Sequence, residues 1–388
     1  CAPPPPADEV DSGKHHLVIE VPHKGGLALT STAQIPPIEL LGLREEVIGY
    51  LDDSSFITSP CINAMIESDM TEVVWNGWGS PDQAPAVEEW LAANPDAIIL
   101  GGPFGDPTAP NVLSISASQE RTNVATFDWL AVYAALYNLE GMSNLISAEA
   151  QEDYDCSAGN ARAIADQRRT LQGEEFTRPV LLWASYFDGY NWSVAECPTW
   201  DSTYYCEYAA HCNADILSRP EGVGDDSTGF AYLNDEEFLE FGKDADAFIF
   251  TAFIWDSLYE EKKDMLDQFK SVQNQKVFDV LGQGSGAWFE QRLAEYDIVG
   301  LDVCHAVGNV DPFGPPHTPR YIRNVFTDPI GEGLTQCNFP QELSEPFIPF
   351  GQDCEPMTED EPSEASSLRS IGTLLSFGMM LGSILTNA

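Results

Sequence analysis

The side chains best placed to do chemistry in this sequence are aromatic rings in loops. Trp75 and Trp78 come at the end of and after the strand-like run 72–75, and Phe104 follows Gly101-Gly-Pro. Tyr186, Phe187, Tyr190, Trp192, Trp200, Tyr204 and Tyr205 crowd the segment after 179–184, and Phe253 and Trp255 come just after 246–252. A large flat ligand with a neutral polar rim needs apolar ring faces and uncharged hydrogen-bond partners, which Trp and Tyr supply together. The expected ligand-binding set is therefore Trp75, Trp78, Phe104, Tyr186, Phe187, Trp192, Trp200, Phe253 and Trp255. Trp129 and Trp183 fall inside regular elements and read as core. Lys and Arg are nearly absent from these loops, so a multiply anionic ligand would find no basic clamp.

Other chemistries have weaker signals. His15, His16 and His23 crowd one end, and His211, His305 and His317 are scattered. Adjacent histidines on a strand point to opposite faces and make a poor metal site. No Walker A loop, EF-hand loop or G-x-S-x-G elbow is present. Gly282-Gln-Gly-Ser-Gly286 lacks the Lys and spacing of a nucleotide loop and reads as a turn. Carboxylates are too common here for a pair of them to mark catalysis. No catalytic residue, metal ligand or cofactor is assigned; an enzyme and a structural surface protein are the alternatives in other classes.

These loops need elements to hold them. Strands are expected at 15–22, 26–33, 47–50, 72–75, 96–100 and 112–115, with helices at 35–44, from 59–60, and at 85–93. After a long helix the pattern returns: strands at 179–184, 246–252 and 276–280, and helices at 234–241, 260–269, 287–294 and 297–307. Strand–helix alternation implies mostly parallel sheets covered on both faces. The long helix is drawn by Ile146, Ala150, Tyr154, Ala158, Ala161 and Ala165, a stripe at helical spacing with acids and amides between. If 143–170 is one helix it spans about 42 Å, more than a small domain is wide. Lying between two α/β patterns, it reads as a strut between lobes, with Gly159 as the place for it to bend.

The chain has 388 residues, and 18 basic against 62 acidic residues leave a net charge of −44. Such a surface repels nucleic acid and anionic membranes. Nine cysteines without a C-x-x-C pair point to disulfides in an oxidising compartment, with one left over. Cys197, Cys206 and Cys212 share one segment, and Cys337 with Cys354 could close a tail loop. Asn191-Trp-Ser193 is a glycosylation sequon inside the aromatic loop. The chain opens on Cys1 and four prolines, and 371–388 is an uncharged apolar run, long enough for a membrane span. It equally resembles a glycolipid-anchor signal, with 363–365 as attachment site and 366–370 as spacer. Anchoring on the extracellular face of the membrane, after passage through the secretory pathway, is expected.

The order Thr30-Ser-Thr, Ile35-Pro-Pro-Ile-Glu-Leu-Leu-Gly-Leu, Asn94-Pro-Asp-Ala-Ile-Ile-Leu and Asp128-Trp-Leu-Ala resembles the class III periplasmic substrate-binding proteins. Val180-Leu-Leu-Trp, Glu237-Phe-Leu, Asp244-Ala-Asp-Ala-Phe-Ile and Trp288-Phe-Glu continue the resemblance over roughly 15–310. It implies an α/β fold of two lobes joined by one rigid helix, with ligand held between them. The ligands it implies are ferric siderophores, haem, cobalamin or metal ions. Acidity, cysteines and the apolar tail set the chain apart from bacterial members and resemble the algal cobalamin acquisition group. Capture of cobalamin for uptake is the expectation, with a ferric hydroxamate siderophore as the alternative and a membrane transporter or receptor as partner. The chain is expected to be a monomer. The expected divisions are a linker (1–13), a first lobe (14–125), a helical segment (126–172), a second lobe (173–310), an irregular extension and acidic stalk (311–367) and an apolar tail (368–388).

Overall fold

The computed structural model describes residues 19–75, 83–102, 111–189, 191–195, 197, 204–224, 232–310, 317–349 and 354–357. The described residues up to Cys354 form one compact unit.

The first lobe is a five-stranded sheet built from β1 (Leu27–Leu29), β2 (Val47–Tyr50), β3 (Glu72–Val73), β4 (Ile98–Gly101) and β5 (Val112–Ser114). Their order is β3-β2-β1-β4-β5, and every pair is parallel. β1 and β4 are buried along their whole length, which is why they read as unbroken apolar runs. Helices α1 (Ile35–Leu40), α2 (Pro60–Glu67) and α3 (Gln83–Ala93) connect the strands. Ser59 starts α2 by accepting the Ile62 N–H, with Pro60 in the first turn where no donor is needed. The strand expected at 15–22 is not seen: 15–18 lie outside the described residues, and 19–22 are irregular.

Three helices follow, α4 (Asn123–Asp128), α5 (Leu130–Tyr137) and α6 (Glu140–Gln172). The strut is α6. At 33 residues it is longer than its apolar stripe, roughly 50 Å at 1.5 Å per residue. Tyr154, Ala158, Ala161 and Ala165 are buried on one face, as the spacing requires. The helix runs unbroken through Gly159, where a Cβ would meet nothing within 4 Å. On the facing helix Gly300 has the opposite role, since a Cβ there would come within 2.8 Å of the Tyr154 ring.

The second lobe holds β6 (Val180–Phe187), β7 (Asn191–Val194), β8 (Asp215–Ile216), β9 (Ala247–Phe250), β10 (Val277–Asp279) and β11 (Arg323–Asn324). The order is β11-β10-β9-β6-β7, with β8 also on β6; the two ends, β7 and β11, run antiparallel. Its described helices are α7 (Tyr204–His211), α8 (Asp235–Gly242), α9 (Trp255–Glu261), α10 (Lys263–Leu266), α11 (Lys270–Gln273) and α12 (Tyr296–Val307). Asn234 and Glu237 close a capping box at the start of α8. The segment 287–294, expected as a helix, has only a 3₁₀ turn at Gln291–Ala294. One buried apolar cluster joins the lobes, running from Leu27 and Tyr50 through Tyr133 and Tyr154 to Trp183, Ile249 and Trp288.

The extension is irregular but firmly packed. The Asp302 carboxylate accepts the N–H groups of Arg320, Tyr321 and Ile322, and β11 then adds to the second sheet. Further on, Cys337 bonds to Cys61 of the first lobe and Cys354 to Cys156 of the strut. The buried Arg44 guanidinium donates to the carbonyls of Glu342 and Glu345 at 2.9 and 2.6 Å. The tail loop expected from Cys337 and Cys354 is thus overturned, because each reaches a different body of the fold. Cys197–Cys206 and Cys212–Cys304 complete four disulfides; Cys1 lies outside the described residues.

Candidate functional site between the lobes

Parallel strands send all their carboxyl ends to one edge of a sheet, where ligands of open α/β folds gather. The two lobes bring these edges together. Thr58, in the loop after β2, donates its N–H to Glu290 Oε2 at 2.9 Å. Gly286, in the loop after β10, sits so close to Thr58 that a Cβ would come within 2.7 Å of its methyl group. The Phe289 N–H in turn donates to the Gly286 carbonyl.

Three phenylalanines in the loops of this junction present their rings to solvent, Phe56 (58% exposed), Phe253 (43%) and Phe289 (48%), and Phe187 (47%) is exposed at the end of β6. The first three follow β2, β9 and β10. Phe253 and Phe289 meet edge to face with centroids 5.6 Å apart. Ile254 beside them is also exposed. The loops 51–59, 251–254 and 280–290 contain no Lys or Arg, whereas Asp52 and Asp53 lie in the first. Asp53 caps the turn Ser54–Phe56, and hydrogen bonds from Ser55 hold its carboxyl below the usual range. The arrangement offers apolar ring surface within a negative rim, suited to holding an uncharged or cationic ligand.

The expected ring set divides three ways. Phe253 is on this surface, and Phe187 is exposed at the end of β6. Trp75 is half-buried just beyond the edge strand β3; Tyr186 is half-buried, packed on Trp192 and over the Lys262 ammonium at 5.0 Å. Trp192 and Trp255 are core residues, which corrects their expected place in the cleft. Trp192 is fully buried, stacked 3.8 Å from Phe238, with Nε1 donating to Asp235. It alternates with the outward Asn191 along β7, so the strand's period of two turns it inward. Trp255 opens α9 and wedges against Phe248 and Phe250. Trp78, Phe104 and Trp200, with Tyr190, lie outside the described residues. Phe56 and Phe289 were not in the expected set. Their only signal is position, a few residues past a strand end.

Asn191 of the sequon is exposed at φ 81, paired with Phe187 across the hairpin. Beside the β10 loop a cavity of about 440 Å³ is lined by Gln283, Ile298, His317, Arg320 and Glu332 among others. His317 Nε2 is held there by Asp302 at 2.6 Å. Two clusters have metal-ligand composition, His211 with Cys212 and Cys304, and Cys61 with Cys337 and Glu342. Their cysteines are spent in disulfides, so no thiolate is offered. His211 is stacked on Tyr154 and bonded to Ser157, and burial lowers its pKa to about 3.

Among the described residues no helix is long and apolar enough to cross a membrane; the apolar run 371–388 lies outside them.

The fold is that of the class III periplasmic binding proteins. A periplasmic haem-binding protein of Pseudomonas aeruginosa is similar at a TM-score of 0.52 and 12% identity, over 77% of this chain and 96% of that one. A periplasmic binding protein of Veillonella parvula is similar at 0.51 and 13%, over 74% and 93%. The petrobactin-binding protein YclQ of Bacillus subtilis is similar at 0.50 and 12%, over 74% and 92%. No family model and no curated protein matches the sequence.

Proposed function

We propose that this chain is a surface binding protein that captures cobalamin between its lobes for uptake. The observation that carries this is the set of exposed rings, Phe56, Phe253 and Phe289, contributed by both lobes to loops without a cation. A corrinoid is broad, apolar on its faces and rimmed by neutral amides, so it needs ring surface and no basic clamp. Haem, the ligand named for one structural neighbour, carries two carboxylates that would meet Asp52 and Asp53 here. Binding rather than turnover is further supported by the three similar structures above, each a binding protein. Four disulfides support an oxidising, extracellular setting, with the 371–388 run as its anchor and a membrane transporter or receptor as the recipient of the cargo.

The same surface accommodates a ferric hydroxamate complex, which is also uncharged. Calorimetric titration of the purified chain with cyanocobalamin, ferrichrome and haemin separates these readings. Cobalamin binding at micromolar affinity or better is expected. Binding of ferrichrome alone moves the function to iron uptake; binding of none of the three overturns capture of this ligand class.

A further inference from the structure

Glu290 is fully buried where the lobes meet. Its Oε2 accepts the Thr58 N–H, a hydrogen bond from the first lobe to the second, and its Oε1 has no partner. Charged and titratable groups face it from each neighbouring element. Glu39 on α1 is engaged by Arg44 at 2.8 Å and Ser59 at 2.7 Å. Arg44 is further committed to the Glu342 and Glu345 carbonyls. Tyr50 on β2 is buried with its hydroxyl unpartnered, and Asp52 and Asp53 follow it. On Glu290's own segment, the Arg292 guanidinium lies over the Tyr204 and Trp288 rings, at 4.2 and 5.0 Å. A neutral carboxyl fits this setting. An ionised one would add a desolvated negative charge beside Glu39, whose own cation is already taken.

We propose that Glu290 is a proton-dependent latch between the lobes: protonated, it holds 56–59 against the second lobe, and ionised, it lets that segment loosen. Burial first, and then the charge of Glu39, push its pKa up to about 8. The sign follows from linkage. A carboxyl raised from 4.5 to about 8 weakens the fold as pH climbs between those values, because the folded state keeps a proton that the unfolded state has lost. The latch is therefore tightest in mild acid, weakens as pH climbs through neutrality, and weakens no further above about 8.

Hydrogen exchange on the full chain tests this without any ligand, so it stands or falls apart from the cobalamin reading. Protection of 54–59, corrected for the intrinsic rate, is expected to fall at least about tenfold as pH climbs between 4.5 and about 8 and to level off above it, while α8 peptides change less. In Glu290→Gln, uncharged and still able to accept from Thr58, protection of 54–59 should not change with pH. A flat wild-type profile, or a variant that falls in parallel, overturns the latch. The wild-type profile alone decides the matter if the variant does not fold.

Discussion

The rings of Phe253 and Phe289 meet edge to face, 5.6 Å apart, with each close to half exposed. Neither fills a core, so their exposed area is free to be covered by a ligand. Phe253→Ala and Phe289→Ala should each weaken cobalamin binding about tenfold or more, from the loss of about 1.5–3 kcal/mol of buried ring surface. Melting temperatures should shift little. A variant that melts like wild type and binds like wild type would remove that ring from the site.

Trp192 and Trp255 should behave in the opposite way. Each is at most 2% exposed within the second lobe, and truncation to Ala leaves a cavity costing about 3–5 kcal/mol. Trp192→Ala also strips Asp235 of a hydrogen bond at 2.8 Å. Chemical denaturation should show the loss for both, with any binding defect following from unfolding.

The strap through Cys337 and Cys354 can be cut by Cys61→Ser with Cys337→Ser. The bridge spans 276 residues, and its removal should cost about 2–4 kcal/mol by releasing the unfolded chain. The cost should disappear when both proteins are compared under reducing conditions.

Asp297 gives a pH signature. Burial, with the charges of Glu295 and Asp153, pushes its carboxyl up to about 7. Its burial therefore costs nothing extra below 3.8 and weakens the fold increasingly as pH rises to about 7. Asp297→Asn should gain stability relative to wild type across that window, and the gain should level off above it. Urea unfolding at several pH values checks the slope, and a constant offset would mean the acid is not the cause.

Much of this architecture is legible in the residues. Tyr154, Ala158, Ala161 and Ala165 mark the strut because a helix buried on one face must repeat its small residues at that spacing. The apolar runs around Leu27 and Ile98 mark central parallel strands because both faces are covered. The site is less legible. Trp192 and Phe187 lie on neighbouring strands in similar company, and which one faces inward is set by hairpin register rather than residue type. Phe289 sits between the buried Trp288 and Glu290, where irregular backbone carries no period to read. Cysteine partners were hidden for another reason: they depend on the route of 311–354, whose composition carries no signal of packing.

That route also alters how the molecule is connected. A peptide bond broken anywhere between Cys61 and Cys337, the strut included, leaves the fragments held by the disulfide between those residues. The backbone from 61 to 337 is thus a closed ring threaded through both lobes. Proteolytic nicking of the connector, which would separate the halves of a chain joined at one point, should here yield a species that migrates as one piece until a reductant is added.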